Sequence, residues 1–185
     1  MARVVVIGGG WGGCGAALTA SKLGTEVVLI ERMDRLLGTG LVGGIMGQNA
    51  RMTAQFEVDA MGAGDLFQLA WDNALHRNIE IPGCAHSYIY NVLTLEIKVR
   101  ALLEELGVQI LAPARATDVR RRGDRLEAVV LEDGEVVEGD AFVDATGSAG
   151  PQGLCTKYGY GCAMCVLRCP TFGARVSIAA KAGVK

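Results

Sequence analysis

Half of the 185 residues are apolar, 21% are charged and the net charge is −2, a balance that excludes a disordered chain and gives no nucleic-acid-binding surface. The first apolar run lasts about five residues before the glycines, far short of the roughly 20 that cross a bilayer, and no signal peptide is visible, so membrane insertion is not expected. These figures leave a cytoplasmic globular protein with room for one domain and a sizeable core.

Residues 4–31 read VVVIGGGWGGCGAALTASKLGTEVVLIE: an apolar strand, a glycine turn, an Ala/Leu-rich helix and a second strand ending in an acid. Gly8, Gly10 and Gly13 supply GxGxxG, with Trp11 and Gly12 inside the turn. Glu31 follows at close to the separation of about twenty residues that a dinucleotide-binding unit requires. Gly8 lets the chain turn out of the strand, Gly10 lets a pyrophosphate approach the backbone, and Gly13 lets the helix pack close to the sheet. The free N–H groups and dipole at the helix start favour phosphate charge. Glu31 is expected to accept ribose hydroxyls, and its carboxylate would repel the 2′-phosphate of NADP. This unit alone does not separate FAD from NAD.

Residues 47–91 read as an inserted helical and loop segment. DLFQLAWDNALHR (65–77) has Leu66, Leu69, Ala70, Asn73 and Leu75 at spacings that predict an amphipathic helix, with Phe67 and Trp71 on its apolar face. Gln48, Asn49 and Arg51 are either donors toward a reactive cofactor edge or solvated loop residues. His86, among Tyr88 and Tyr90 after a Pro-Gly turn, is the candidate acid–base residue; His76 reads as surface or interface.

Residues 94–107, TLEIKVRALLEELG, place Leu95, Val99, Leu102, Leu103 and Leu106 on one helical face and stop at Gly107. A short strand, Val108 to Leu111, should follow. Turn signals at Gly123-Asp124 and Asp133-Gly134 then mark a β-meander that feeds a buried strand, Ala141 to Ala145.

This order of motifs resembles that of the glutathione-reductase-type FAD-dependent oxidoreductases: N-terminal fingerprint, helix to Gly-Val, inserted meander and returning ATG segment. The resemblance spans 1–46 and 92–150 and implies an α/β, Rossmann-like FAD-binding domain with a parallel central sheet. It implies cofactor contacts from Ala145, Thr146 and Gly147 beside the pyrophosphate and from the Ala116 backbone beside the adenine. It also implies contacts from Arg32, Gly38, Thr39 and Gly40 along the ribose and ribityl chain. FAD is favoured over NAD, because a plain NAD-binding domain continues with helices between strands. Enzymes of this type normally add a substrate domain, so a partner subunit or the remainder of a longer chain is expected to complete the flavin site.

Residues 151–185 form a basic, Cys-rich segment. Cys14 and Cys84 stand alone and read as buried thiols, whereas Cys155, Cys162, Cys165 and Cys169 are crowded together. Cys162, Cys165 and Cys169 with Pro170 give CxxCxxxCP, the last part of the bacterial ferredoxin run that holds a 4Fe-4S cluster; Gly159 stands where the first cysteine would be. Cys155 or a partner chain is left to supply the fourth ligand. A redox dithiol at Cys162 and Cys165, a zinc site and structural thiols are the other readings.

The expected function is an FAD-dependent oxidoreductase subunit or segment that passes hydride or electrons between a small-molecule substrate and FAD, with a 4Fe-4S cluster as a second centre. A thiol-disulfide flavoprotein acting through Cys162 and Cys165 is the alternative enzyme. A non-catalytic nucleotide-binding or electron-transfer subunit is the alternative from another class.

Overall fold

The computed structural model describes residues 1–43, 45–46, 53–81, 84–147 and 176–184. Strands β1 (Arg3–Ile7), β2 (Glu26–Ile30), β6 (Gln109–Leu111) and β10 (Ala141–Asp144) form a parallel sheet in the order β10-β1-β2-β6. Val4, Val5, Val6 and Ile7 pair with Val27, Val28, Leu29 and Ile30 on one side and with Ala141 to Asp144 on the other. Continuous Val/Ile/Leu runs suit strands covered on both faces.

Alternate side chains go to opposite layers. Val6, Val27 and Leu29 pack against helices α1 (Trp11–Lys22) and α5 (Val92–Glu105), through Cys14, Ala17, Leu18, Leu95, Val99 and Leu103. Val5, Ile7, Val28 and Ile30 pack on the other side against Ala116, Val129, Leu131, Val137 and Ile178. Those residues come mostly from the antiparallel meander of β7 (Ala116–Arg122), β8 (Arg125–Leu131) and β9 (Val136–Glu138). Sheet, meander and helix are therefore where the sequence expectations put them. Asn91 caps α5 by accepting the Leu93 N–H at 3.0 Å, and Gly107 ends it at φ 79°.

Two expectations are corrected between the glycine loop and α5. This stretch carries the short helices α2 (Gly40–Gly43), α3 (Thr53–Ala60) and α4 (Gly64–Asp72), and it also has strands β3 (Ile45–Met46), β4 (Ala74–Ile81) and β5 (Cys84–Tyr90) in an antiparallel sheet. A helical and loop description of 47–91 therefore omits two long strands. The helix expected over 65–77 ends at Asp72, and Leu75, assigned to its buried face, is 61% exposed on β4. Asn73 breaks the helix because its side chain donates to the Asn91 carbonyl at 3.0 Å and its carbonyl accepts the Asn91 N–H at 3.0 Å. Pairing with β5 then overrides the helical periodicity.

After residues 148–175, the chain ends in a short helix, α6 (Ile178–Lys181), with Ile178 buried in the meander-side core.

Candidate nucleotide-binding site

The C-terminal ends of β1 and β2 and the start of α1 meet at the glycine turn, the edge of an open parallel sheet where nucleotides bind. The turn glycines divide into two kinds. A Cβ on Gly8, at φ 104°, would collide with the Ala145 carbonyl, and one on Gly13 would collide with the Gly8 carbonyl oxygen. Both are therefore demanded by chain packing. A Cβ on Gly10 or Gly12 would meet no protein atom within 4 Å. Gly10 is the N-cap of α1, which has no side-chain cap and no acid in its first turn. The orphan N–H groups and positive dipole end of α1 thus adjoin the bare backbone of Gly10.

Glu31 is 7% exposed. Its carboxylate accepts the Gly9 N–H at 2.6 Å and the Met33 N–H at 2.9 Å, which sets an anionic acceptor at the end of β2 beside the turn. Beyond Arg32, the loop returns to the turn: the Leu37 N–H donates to the Gly9 carbonyl at 2.7 Å, and Leu37 bridges Gly10. A Cβ on Gly38 would lie 3.3 Å from the Gly10 Cα, and Thr39 is exposed. Gly40 packs on the Trp11 indole, and its carbonyl accepts the Tyr90 hydroxyl at 2.5 Å. Trp11 also stacks on Phe67 at 5.8 Å and meets Tyr90 edge-on at 5.9 Å. Burial raises the Tyr90 pKa against a lowering contact with Trp11, so its hydroxyl stays a donor. Expected cofactor contacts at Trp11 and Gly40 are therefore also internal packing contacts that join β5, α1 and the loop.

Ala145 closes the turn from below, its N–H donating to the Ile7 carbonyl at 2.8 Å. Ala116 is buried at the start of β7, which is brought beside β2 by the Ala114 N–H donating to the Glu31 carbonyl at 2.7 Å. Thr146 lies over Asp144, whose carboxylate accepts the Thr146 hydroxyl at 2.5 Å and N–H at 3.1 Å, with Gly147 next in the chain at φ 93°.

Three acidic or basic groups at this edge were not singled out from sequence: Glu96, Arg100 and Asp144. The available signal was a glutamate four residues before an arginine on the core-facing side of a helix, and an acid ending a buried strand. His86 falls on β5, but its side chain lies outside the described residues. So do Gln48, Asn49, Arg51 and the cysteines Cys155, Cys162, Cys165 and Cys169. Among the described residues no cluster of three potential metal ligands occurs, and no helix is long and apolar enough to cross a membrane.

Residues 3–150 match the family described as FAD dependent oxidoreductase. This chain belongs to that family. A curated relative, terpredoxin reductase from a Pseudomonas species, is 30% identical over 165 residues, or 89% of this chain and 29% of the relative. The chain thus spans under a third of that relative's length. Among solved structures, GidA from Aquifex aeolicus is similar with a TM-score of 0.60 and 18% identity, over 76% of this chain and 24% of its own. The Diels-Alderase PyrE3 of pyrroindomycin biosynthesis is similar with a TM-score of 0.58 and 23% identity, over 83% and 34%. At these identities the two structures show a shared fold alone.

Proposed function

We propose that this chain holds the adenosine and pyrophosphate half of FAD at the turn between β1 and α1 and forms the nucleotide-binding part of an oxidoreductase acting on a small molecule. The observation that carries this reading is the open space at Gly10 and Gly12 beside two glycines whose absence of Cβ is already explained by packing. In this reading the α1 N–H groups bind the pyrophosphate, Glu31 accepts the ribose hydroxyls, and the loop with Gly38 and Thr39 follows the ribityl chain. The bound cofactor would supply two-electron exchange with a substrate and one-electron exchange with a metal centre. The chain's own residues bind and orient it, and a partner subunit or further polypeptide supplies the substrate contacts. The test is the visible spectrum of anaerobically purified protein with mass analysis of the released cofactor. FAD is the expected product; release of NAD overturns the reading, as does failure to load FAD once the partner or further polypeptide that completes the flavin site is supplied.

A 4Fe-4S cluster at Cys155, Cys162, Cys165 and Cys169 is the second centre proposed. Its support is the CxxCxxxCP string, and Asp144 binds described residues on either side of 148–175. It accepts the Thr146 N–H before it, and the Ser177 hydroxyl at 2.9 Å and Ala179 N–H at 2.9 Å after it. The chain therefore departs and returns at the nucleotide edge of the sheet. Iron and acid-labile sulfide in the wild type, lost in Cys165→Ser, are expected; disulfide exchange without iron would favour the Cys162 and Cys165 dithiol.

A further inference from the structure

We propose that Glu96 and Arg100 are positioning residues for the nucleotide turn: from the middle of α5 they hold the loop that presses Leu37 against Gly9 and Gly10. This inference rests on the nucleotide-binding reading above. Glu96 is 4% exposed, an unusual place for a carboxylate unless its oxygens are engaged. Its Oε1 accepts the Leu36 N–H at 3.1 Å and the Arg100 guanidinium at 2.9 to 3.0 Å. Arg100 Nη2 also donates to the Asp34 carbonyl at 2.8 Å. One ion pair on a helix thus grips the loop at two alternate residues, about sixty positions away in sequence.

The grip matters because of the next residue. Leu37 is fully buried at φ 69°, a left-handed conformation that a leucine seldom adopts and keeps only where its surroundings over-determine it. In that conformation its N–H reaches the Gly9 carbonyl and its backbone bridges Gly10, the glycine whose open face takes the pyrophosphate in the proposed complex. The same loop supplies the Met33 N–H to Glu31. Glu96 and Arg100 therefore act through backbone on both the phosphate and the ribose positions without touching either.

The experiment compares wild type, Glu96→Gln, Glu96→Leu and Arg100→Gln by FAD titration of the folded apoprotein, with amide hydrogen exchange at Leu36 and Leu37 measured without FAD. Glu96→Gln retains an acceptor for the Leu36 N–H and is expected to weaken FAD binding by a few-fold. Glu96→Leu removes both bonds and is expected to weaken it about tenfold or more. Arg100→Gln should fall between them, and Leu37 protection should drop in the same order. A purely structural role would lower the melting temperature while the folded fraction kept wild-type affinity and Leu37 protection, and that result overturns the inference. Should Glu96→Leu not fold, Glu96→Gln and Arg100→Gln carry the test, and wild-type affinity in both overturns it. Wild type that takes up no FAD even with the polypeptide that completes the flavin site present overturns the nucleotide reading itself, whatever the exchange data show.

Discussion

The Glu31 carboxylate accepts the backbone N–H of Gly9 at 2.6 Å, so the acid ending β2 also holds the turn that follows β1. Glu31→Ala strands two donors, the Gly9 and Met33 N–H groups, one of them buried. A loss of about 1–3 kcal/mol in stability is expected, together with weaker FAD retention. Chemical denaturation and flavin occupancy after gel filtration check the two effects. Unchanged occupancy would remove Glu31 from the ribose site.

Gly10 and Gly13 should respond oppositely to a side chain. Gly10 has φ −69° and ψ −177°, open to any residue, and no protein atom near a new Cβ. Gly10→Val is expected to fold, at a cost of about 1 kcal/mol for the poorer N-cap, and to bind no FAD. Gly13→Val drives atoms into the Gly8 carbonyl and should cost about 3 kcal/mol or more. Full flavin loading of Gly10→Val would overturn the pyrophosphate placement.

Asp144 makes the attachment of 176–184 dependent on acid. Burial disfavours its charge, but hydrogen bonds from the Thr146 hydroxyl, the Ala179 N–H, the Thr146 N–H and the Ser177 hydroxyl outweigh that and lower its pKa. A depressed folded pKa means the stabilisation is present above the ordinary carboxylate value and is lost as pH falls through the lowered one, below about pH 4. Hydrogen exchange in Ile178 to Val184 should accelerate there. Asp144→Asn should show fast exchange already at neutral pH and little further change on acidification; slow exchange in that variant would exclude the tether.

Cys14 is buried with its Sγ donating to the Gly9 carbonyl at 3.2 Å. Burial, aided by the charges of Glu31 and Glu96 and opposed by a Leu37 backbone contact and Arg100, pushes its pKa up to about 12. The thiol's neutral form is the one the fold accepts, so its contribution to stability is intact below about pH 8.5, the free-thiol value, and fades as pH rises toward about 12. At pH 8 iodoacetamide should leave Cys14 unmodified in folded protein and alkylate it in guanidinium, as read by peptide mass mapping. Rapid labelling of the native protein would show that the turn opens.

The glycine turn, Glu31, α5, the meander and the ATG segment were legible because each is written in consecutive residues. GxGxxG states local backbone needs, and a 3.6-residue apolar stripe or a Gly-Asp turn signals an element without knowledge of its neighbours. That no side chain fits at Gly8 was decided by Ala145, which lies more than a hundred residues away in sequence and is carried beside the turn by the pairing of β10 with β1, whereas the bar at Gly13 is local and set by the Gly8 carbonyl. The end of α4 belongs to the same class: Leu66, Leu69, Ala70 and Leu75 satisfy a helical stripe, yet bonds between Asn73 and Asn91 and the β4 and β5 pairing stop the helix at Asp72. Glu96 reads as one more charge on a surface helix until α5 is laid against the 34–36 loop. Sequence by itself determined β1, β2, α1, α5 and the meander, since their signals are local. Tertiary structure alone decided which buried polar groups face one another, because that depends on which distant segments the sheet brings together.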